Sequence, residues 1–370
     1  MSTTTAPALF SPIQIGDVKL GHRVVLAPLT RYRANDAHVP TDLVVEYYKQ
    51  RASVPGTLLV TEATFISPEA SGMFNAPGIW NEAQIAAWKK VVDAIHEKGS
   101  YVYLQLWALG RTARPNVLHQ LFPDAPYVAP SPIALSTQPD HVPRELTKDE
   151  IKQYVQWYAT AAKNAVEGGG FDGVEVHGAA GYLVDQFLQD VSNKRTDEYG
   201  GSIENRARFA LEVMDAIVKA VGETKAAIRL SPWMLYQDMG MADPIPQFTY
   251  LVDQLKQRHP NLAYLHLISA GVPGSIAPKD DSQAHFIHKL WAPRPLITTG
   301  GYDRESGLKL AEETGQLIGY GVLFLASPDL PSRLREDLPL NEPDFSTFFT
   351  RLEAKGYTDY PFSEEFLKQA

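Results

Sequence analysis

Short apolar runs recur along the chain: VVLAPL (24–29), TLLVTEA (57–63), YVYLQLW (101–107), FDGVEVH (171–177), AAIRLS (226–231), AYLHLIS (263–269), PLITTG (295–300) and GVLFLA (321–326). They are rich in Val, Ile and Leu with little alternation, the pattern of strands buried on both faces. Between them the apolar period changes to that of a helix. Asn81 stands as the N-cap of a segment whose Ile85, Trp88, Val92 and Ile95 share one face. Thr147 and Glu150 make a capping box ahead of a helix that runs to Ala162. The stretches 204–221, 247–257 and 304–313 read as helices too. Eight strands, most followed by a helix, predict an α/β fold: a closed (β/α)8 TIM barrel rather than an open sheet, as a single domain over 1–370.

One stretch breaks the rhythm. The Pro-rich segment 111–144 is too long for an ordinary connection. It follows the third strand, on the side where barrels carry functional loops, so it is expected to form a lid or capping loop. A linker between two domains is the alternative, but no shift in composition marks a boundary there. Gly168, Gly169 and Gly170 close the preceding helix as a C-cap. There is no internal repeat.

Composition narrows the function. With 370 residues, 44% hydrophobic, the chain can bury a large core. Its net charge of -9 argues against nucleic acid, which needs basic patches. The absence of cysteine excludes disulfides, thiolate metal sites, iron–sulfur clusters and a cysteine nucleophile. No apolar run has membrane-spanning length, MSTTTAPALFSP lacks the pattern of a signal peptide, and the C-terminal KQA is no address, so a cytoplasmic protein is expected. His285 and His288, with Asp280 and Asp281 nearby, have a spacing that could face a metal. They lie away from the strand ends, and a solvated helix face is the expectation, with no metal site. No GxGxxG follows a strand, so no separate Rossmann domain is implied.

A barrel of this kind builds its active site at the carboxyl ends of its strands. Those ends carry Pro28, Leu29 and Thr30 on the first strand, then Gln105 and Trp107 on the third. His177 follows on the fourth, with Tyr182 just beyond, and Arg229 on the fifth. Gly300 and Gly301 end the seventh strand, and Gly321 lies at the eighth. Glycines at the last two strands suit a phosphate held on backbone N–H groups. An amide, a hydroxyl and a guanidinium between them suit a flat polar heterocycle: Gln105 can donate and accept along an imide edge, and Arg229 can stabilise negative charge on a ring that takes up electrons. Each residue alone also has a plainer role, as a barrel ion pair, a backbone partner or a turn. Their joint placement at successive strand ends points to a site.

Longer motifs narrow this further. HGAAGYLVDQFL (177–188) followed by NKRTDEYGGSIENRAR (193–208) resembles the signature of the old yellow enzymes. APLTRYRA (27–34), EYYKQRASVPGTLLVTEA (46–63), NAPGIW (75–80), QLWALGR (105–111), RLSP (229–232) and SPDLP (327–331) are similar to the same family in the same order. The resemblance implies non-covalent FMN, reduced by NADPH or NADH, that passes hydride to an activated C=C bond of a small-molecule substrate. The resemblance puts Thr30 at the flavin C4 carbonyl, Gln105 at the pyrimidine edge and Arg229 at N1. Pro28, Leu29, Ala63, Gly300, Gly301 and Gly321 would line the cofactor. Trp107 and Met73 would shape the substrate pocket, His177 would hold the substrate oxygen, and Tyr182 would protonate the α-carbon. A monomer or homodimer is expected.

Two positions depart from the family pattern. Ala180 stands where the family has a second oxygen donor, Asn or His. Val322 stands where an Arg usually grips the FMN phosphate; Arg304 is a possible substitute. Ala63 replaces a common Gly, and Met73 a common Tyr. The departures predict weak turnover of small enones and a bulkier, biosynthetic substrate. They leave open a flavin-weak or flavin-independent isomerase or cyclase of fungal-type secondary metabolism and, further off, a non-catalytic ligand-binding barrel.

Overall fold

Parallel pairing joins eight strands into a ring: β1 (Val24–Leu26), β2 (Leu58–Val60), β3 (Tyr101–Trp107), β4 (Gly173–Gly178), β5 (Ala226–Leu230), β6 (Tyr264–Ile268), β7 (Leu296–Thr299) and β8 (Leu317–Tyr320). Each pairs with the next, and β8 pairs with β1, Gly319 beside Val25, which closes the barrel. The computed structural model describes residues 6–269, 275 and 285–368.

Side chains alternate across a strand, so each strand feeds two layers. One set (Val24, Leu26, Leu104, Leu106, Val174, Val176, Ile228, Leu265) packs outward against the helices. The other set faces the barrel interior. Its lower part is apolar: Val25, Leu58, Tyr103, Ala227, Tyr264, Ile297 and Leu317 form one cluster, closed beneath by the hairpin Ile13–Ile15/Val18–Leu20. Two residues further along four of the strands the same face turns polar. Tyr103 is succeeded by Gln105, Ala227 by Arg229, Tyr264 by His266 and Ile297 by Thr299. The barrel is thus a greasy plug topped by a polar layer at its carboxyl end.

Helices α1 (Asp42–Arg51), α2 (Glu82–His96), α3 (Lys148–Lys163), α4 (Ile203–Val221), α5 (Ile245–Arg258), α6 (Phe286–Trp291), α7 (Arg304–Thr314) and α8 (Leu330–Glu336) follow the strands in turn. The Asn81 side chain accepts the Gln84 N–H at 3.0 Å. Thr147 Oγ1 accepts Glu150 N–H at 3.2 Å while the Glu150 carboxylate returns to Thr147 N–H at 2.8 Å. Caps of this kind stabilise a helix by about 1 kcal/mol each. Trp88, Val92 and Ile95 are buried, and Ile85 is half-buried. Beyond α3 the chain widens into a π turn, Asn164–Gly168, and leaves it through Gly170 at φ +77°.

One expectation needs correcting. The run 321–326 is no strand. Val322–Ala326 is a short helix, and the eighth strand is Leu317–Tyr320, just before it. Five or six apolar residues cannot separate a buried strand from a buried helix by periodicity. The true strand was masked by Gly319, where a Cβ would lie 2.3 Å from Thr299 Cγ2 and so has no room. The segment 111–144 carries regular structure of its own. It contains the helix Pro115–Leu121 and a parallel bridge between Val128–Ala129 and Arg144–Glu145. Arg111 Nη2 donates to the carbonyls of Gln237 and Asp238, which ties the segment to the chain after β5.

His285 is exposed and His288 buried, with ring centroids 4.8 Å apart at the start of α6. Asp280 and Asp281 lie outside the described residues. Among the described residues, no helix is long and apolar enough to cross a membrane.

Candidate active site

The polar layer gathers most of the strand-end residues singled out above. Register places His177 of β4 beside Arg229 of β5, and Gln105 of β3 beside Glu175 of β4. Arg229 Nη2 donates to Thr299 Oγ1 at 3.2 Å, and Thr299 in turn donates to the Leu267 carbonyl. Arg229 remains partly accessible from the barrel mouth. Gln105, only 1% exposed, donates Nε2–H to Glu175 Oε1 at 2.7 Å.

His177 is 6% exposed and its Nδ1 has no hydrogen-bond partner. Burial, together with the nearby Arg229 and His266, holds its pKa well below the ordinary imidazole value, so the ring is neutral. Its face meets Tyr182, centroids 4.6 Å apart. Tyr182 stands edge-on to Trp107 at 4.9 Å, and Trp107 stacks on Phe65 at 4.8 Å. Burial, with Tyr236 and Tyr32 close by, pushes the Tyr182 phenol above its ordinary pKa and keeps it protonated.

The HGAAGY turn is set by local hydrogen bonds. Ala180 adopts φ +54° and Gly181 φ +79°, two successive left-handed residues. A Cβ on Gly181 would lie 2.8 Å from Gln237 Cβ. Ala180 N–H donates to Ser231 Oγ at 2.8 Å, and Gly181 N–H to the buried Asp185 carboxylate at 2.9 Å. Gln186 Nε2 donates to the carbonyls of Leu109 and Gly181. The turn is therefore braced by residues of the helix that follows it.

A second wall forms around Ala63. It packs with Phe65, Trp107, Tyr32 and Met73, and the Tyr32 hydroxyl donates to Met73 Sδ at 3.3 Å. Tyr32 was missed from the sequence; nothing in its spacing marks it. At the other end Leu29 and Val322 pack with Leu325, Phe348 and Tyr360. Pro28 is buried beside them in sequence, while Leu29, Thr30, Gly300, Gly321 and Val322 are partly accessible. Gly301 has φ +74° and open space where a Cβ would stand. Arg304 is turned elsewhere: Nε donates to the Leu334 carbonyl and sits 3.2 Å from Asp337. It does not replace the guanidinium that Val322 lacks.

Glu62 was also missed. Its carboxylate accepts Arg31 N–H at 3.0 Å, just past Thr30, and burial pushes its pKa up to about 7. The Arg31 side chain reaches the Phe348 and Gly356 carbonyls, so the segment Pro28–Thr30 is anchored on both sides. A surface groove of about 290 Å³ between α3 and α4, lined by Val155, Gln156, Glu212 and Asp215, contains none of these groups.

Comparison with known proteins agrees with this geometry. The model of the NADH:flavin oxidoreductase / NADH oxidase family matches residues 8–341. A chanoclavine-I aldehyde reductase of Penicillium roqueforti is 48% identical over 365 residues, 97% of this chain and 98% of that one. Among solved structures, morphinone reductase aligns with a TM-score of 0.90 at 40% identity, covering 98% of both chains. An old yellow enzyme from a Pichia species aligns at 0.89 with 39% identity, covering 97% of this chain and 94% of that one. A closed barrel with this polar layer, matched over nine-tenths of its length by a family model, makes the chain a member of the NADH:flavin oxidoreductase family of old yellow enzyme type.

Proposed function

We propose that this chain uses FMN and NAD(P)H to reduce an activated C=C bond in a bulky biosynthetic substrate. The observation that carries the proposal is the convergence of Gln105, Arg229, His177 and Tyr182 on one mouth, with His177 Nδ1 unpartnered. The residues present fit the ring of FMN. A carboxamide, an accessible guanidinium and the Thr30 hydroxyl match its polar edges, and Gly301 leaves room beside them. Pro28, Leu29 and Ala63 would line the ring, and the backbone N–H groups of Gly300, Gly301 and Gly321 would hold the phosphate. The chemistry a bound FMN would supply is the hydride that adds to the β-carbon of the substrate.

The chain's own residues do the rest. The neutral His177 ring has one N–H, and it donates to the electron-withdrawing oxygen of the substrate. Tyr182, held protonated, delivers its phenolic proton to the α-carbon. Trp107 fixes the Tyr182 ring edge-on, and with Phe65, Tyr32 and Met73 it forms an apolar wall that excludes water. Ala180 contributes no donor, so its side of the oxygen is open to a larger group. The Penicillium roqueforti relative is named as a reductase of chanoclavine-I aldehyde, which supports a biosynthetic substrate.

The decisive test is colour. Purified protein should show flavin absorbance that NADPH bleaches and an enone restores. A colourless chain that added FMN does not stain would refute the proposal. Val322 favours one second reading, an isomerase or cyclase with weak flavin binding, because the residue that opens the helix Val322–Ala326 is apolar and packs with Leu325 and Phe348. That reading expects turnover of a biosynthetic intermediate without NADPH consumption.

A further inference from the structure

Beneath the strand-end groups lies a buried carboxylate that the proposed reaction does not use. Glu175 faces the barrel interior on β4, and both it and His266 are 0% exposed. Its Oε1 accepts Gln105 Nε2–H at 2.7 Å and its Oε2 accepts His266 Nδ1–H at 2.8 Å. His266 is the register partner of Arg229. Burying a carboxylate costs several kcal/mol unless close partners offset it. Here they do: burial pushes the Glu175 carboxyl up, but His266, Arg229 and Gln105 together pull it below the ordinary range, so it stays ionised.

We propose that Glu175 is a positioning residue for the cofactor: it fixes the Gln105 amide in one orientation and partly neutralises Arg229, and so sets both the affinity for FMN and its reduction potential. This rests on the mouth being the FMN site proposed above. An ionised carboxylate only accepts hydrogen bonds. It therefore selects Gln105 Nε2 and excludes the flipped amide. Gln105 Oε1 and the second N–H then have one fixed arrangement, as an imide edge of alternating donor and acceptor requires. His266 is kept neutral, chiefly by burial and also by Arg229, and uses its Nδ1–H to hold the other carboxylate oxygen. Arg229 favours whichever form of a bound ring is more negative, and a carboxylate one layer below offsets that pull.

The test is Glu175→Gln in the FMN-loaded protein, with the midpoint potential measured by dye equilibration and the FMN dissociation constant by fluorescence. The variant keeps the shape but removes the charge and the one-way acceptance. The oxidised/reduced equilibrium should move at least tenfold toward the reduced form, a rise of about 30 mV for a two-electron couple. The dissociation constant should rise severalfold. Glu175→Asp withdraws the same charge by one methylene and should shift both readouts in the same direction by less, so it serves if Glu175→Gln fails to fold. A residue that only supports the barrel would lower stability and FMN content while the FMN still bound kept its wild-type potential. That result overturns the inference alone. A wild-type chain that takes up no FMN overturns the site proposal and this inference with it.

Discussion

Ala180→Asn tests the pocket most directly. Ala180 sits at φ +54°, in the left-handed region. There an ordinary L-residue is disfavoured by roughly 1–2 kcal/mol, and Asn is among the few side chains at home. The backbone therefore accepts the change, and the bond from residue 180 N–H to Ser231 Oγ survives it. The new amide stands three residues from His177 across the same turn and offers a second donor to the substrate oxygen. One such donor is worth about 2.7–4 kcal/mol in the transition state, roughly a hundred- to a thousandfold in rate. Water that already serves that oxygen would reduce the gain, so an increase of about tenfold or more in kcat for 2-cyclohexenone is the expectation. The assay is NADPH oxidation driven by that enone, run beside Ala180→Gly, which relieves the backbone without adding a donor. The variant Ala180→Asn should also melt no lower than the parent. An unchanged kcat in Ala180→Asn, or an equal gain in Ala180→Gly, would refute the donor argument.

Three further outcomes are expected. Tyr182→Phe keeps the ring contacts with Trp107 and His177 but removes the acid, and enone turnover should fall about a hundredfold or more with FMN content unchanged. Val322→Arg should tighten FMN roughly ten- to a hundredfold, as a charge-assisted hydrogen bond of about 1.5–3 kcal/mol implies. Fluorescence titration measures this, and the loss of Val322 packing against the cluster of Leu325 and Phe348 sets the lower end. His22 is 1% exposed, with Nδ1 accepting the Val24 N–H, and burial pushes its pKa down to about 3 from an ordinary 6.5. The unfolded chain takes up this proton first, so stability is intact above pH 6.5 and drains away as pH falls toward 3. At pH 5 the loss is about 2 kcal/mol. Urea unfolding at pH 7 and pH 5 should show that difference shrink in His22→Asn; an equal difference in both proteins would count against it.

Much of this molecule was legible in the residues alone. Seven of the eight strands, the capped helices after them and the strand-end set Gln105, Trp107, His177 and Arg229 all follow from local signals. A buried strand needs apolar residues whatever surrounds it, and a helix start needs its own cap. The HGAAGY motif likewise announces its histidine and tyrosine. The eighth strand escaped because Gly319 interrupts its apolar run and the helix behind it is more apolar than the strand.

What tertiary structure alone decided is which distant residues meet. Glu175 and His266 are 91 positions apart, and only the parallel register of β4, β5 and β6 brings them to 2.8 Å. Arg304 looked free for a phosphate until the fold turned it to Leu334 and Asp337. Tyr32 became part of the pocket wall through a left-handed backbone conformation at φ +58° that no spacing rule predicts. Periodicity and caps are properties of a segment, so the sequence determines them by itself. Partnership across the barrel depends on closure and register, which belong to the whole chain.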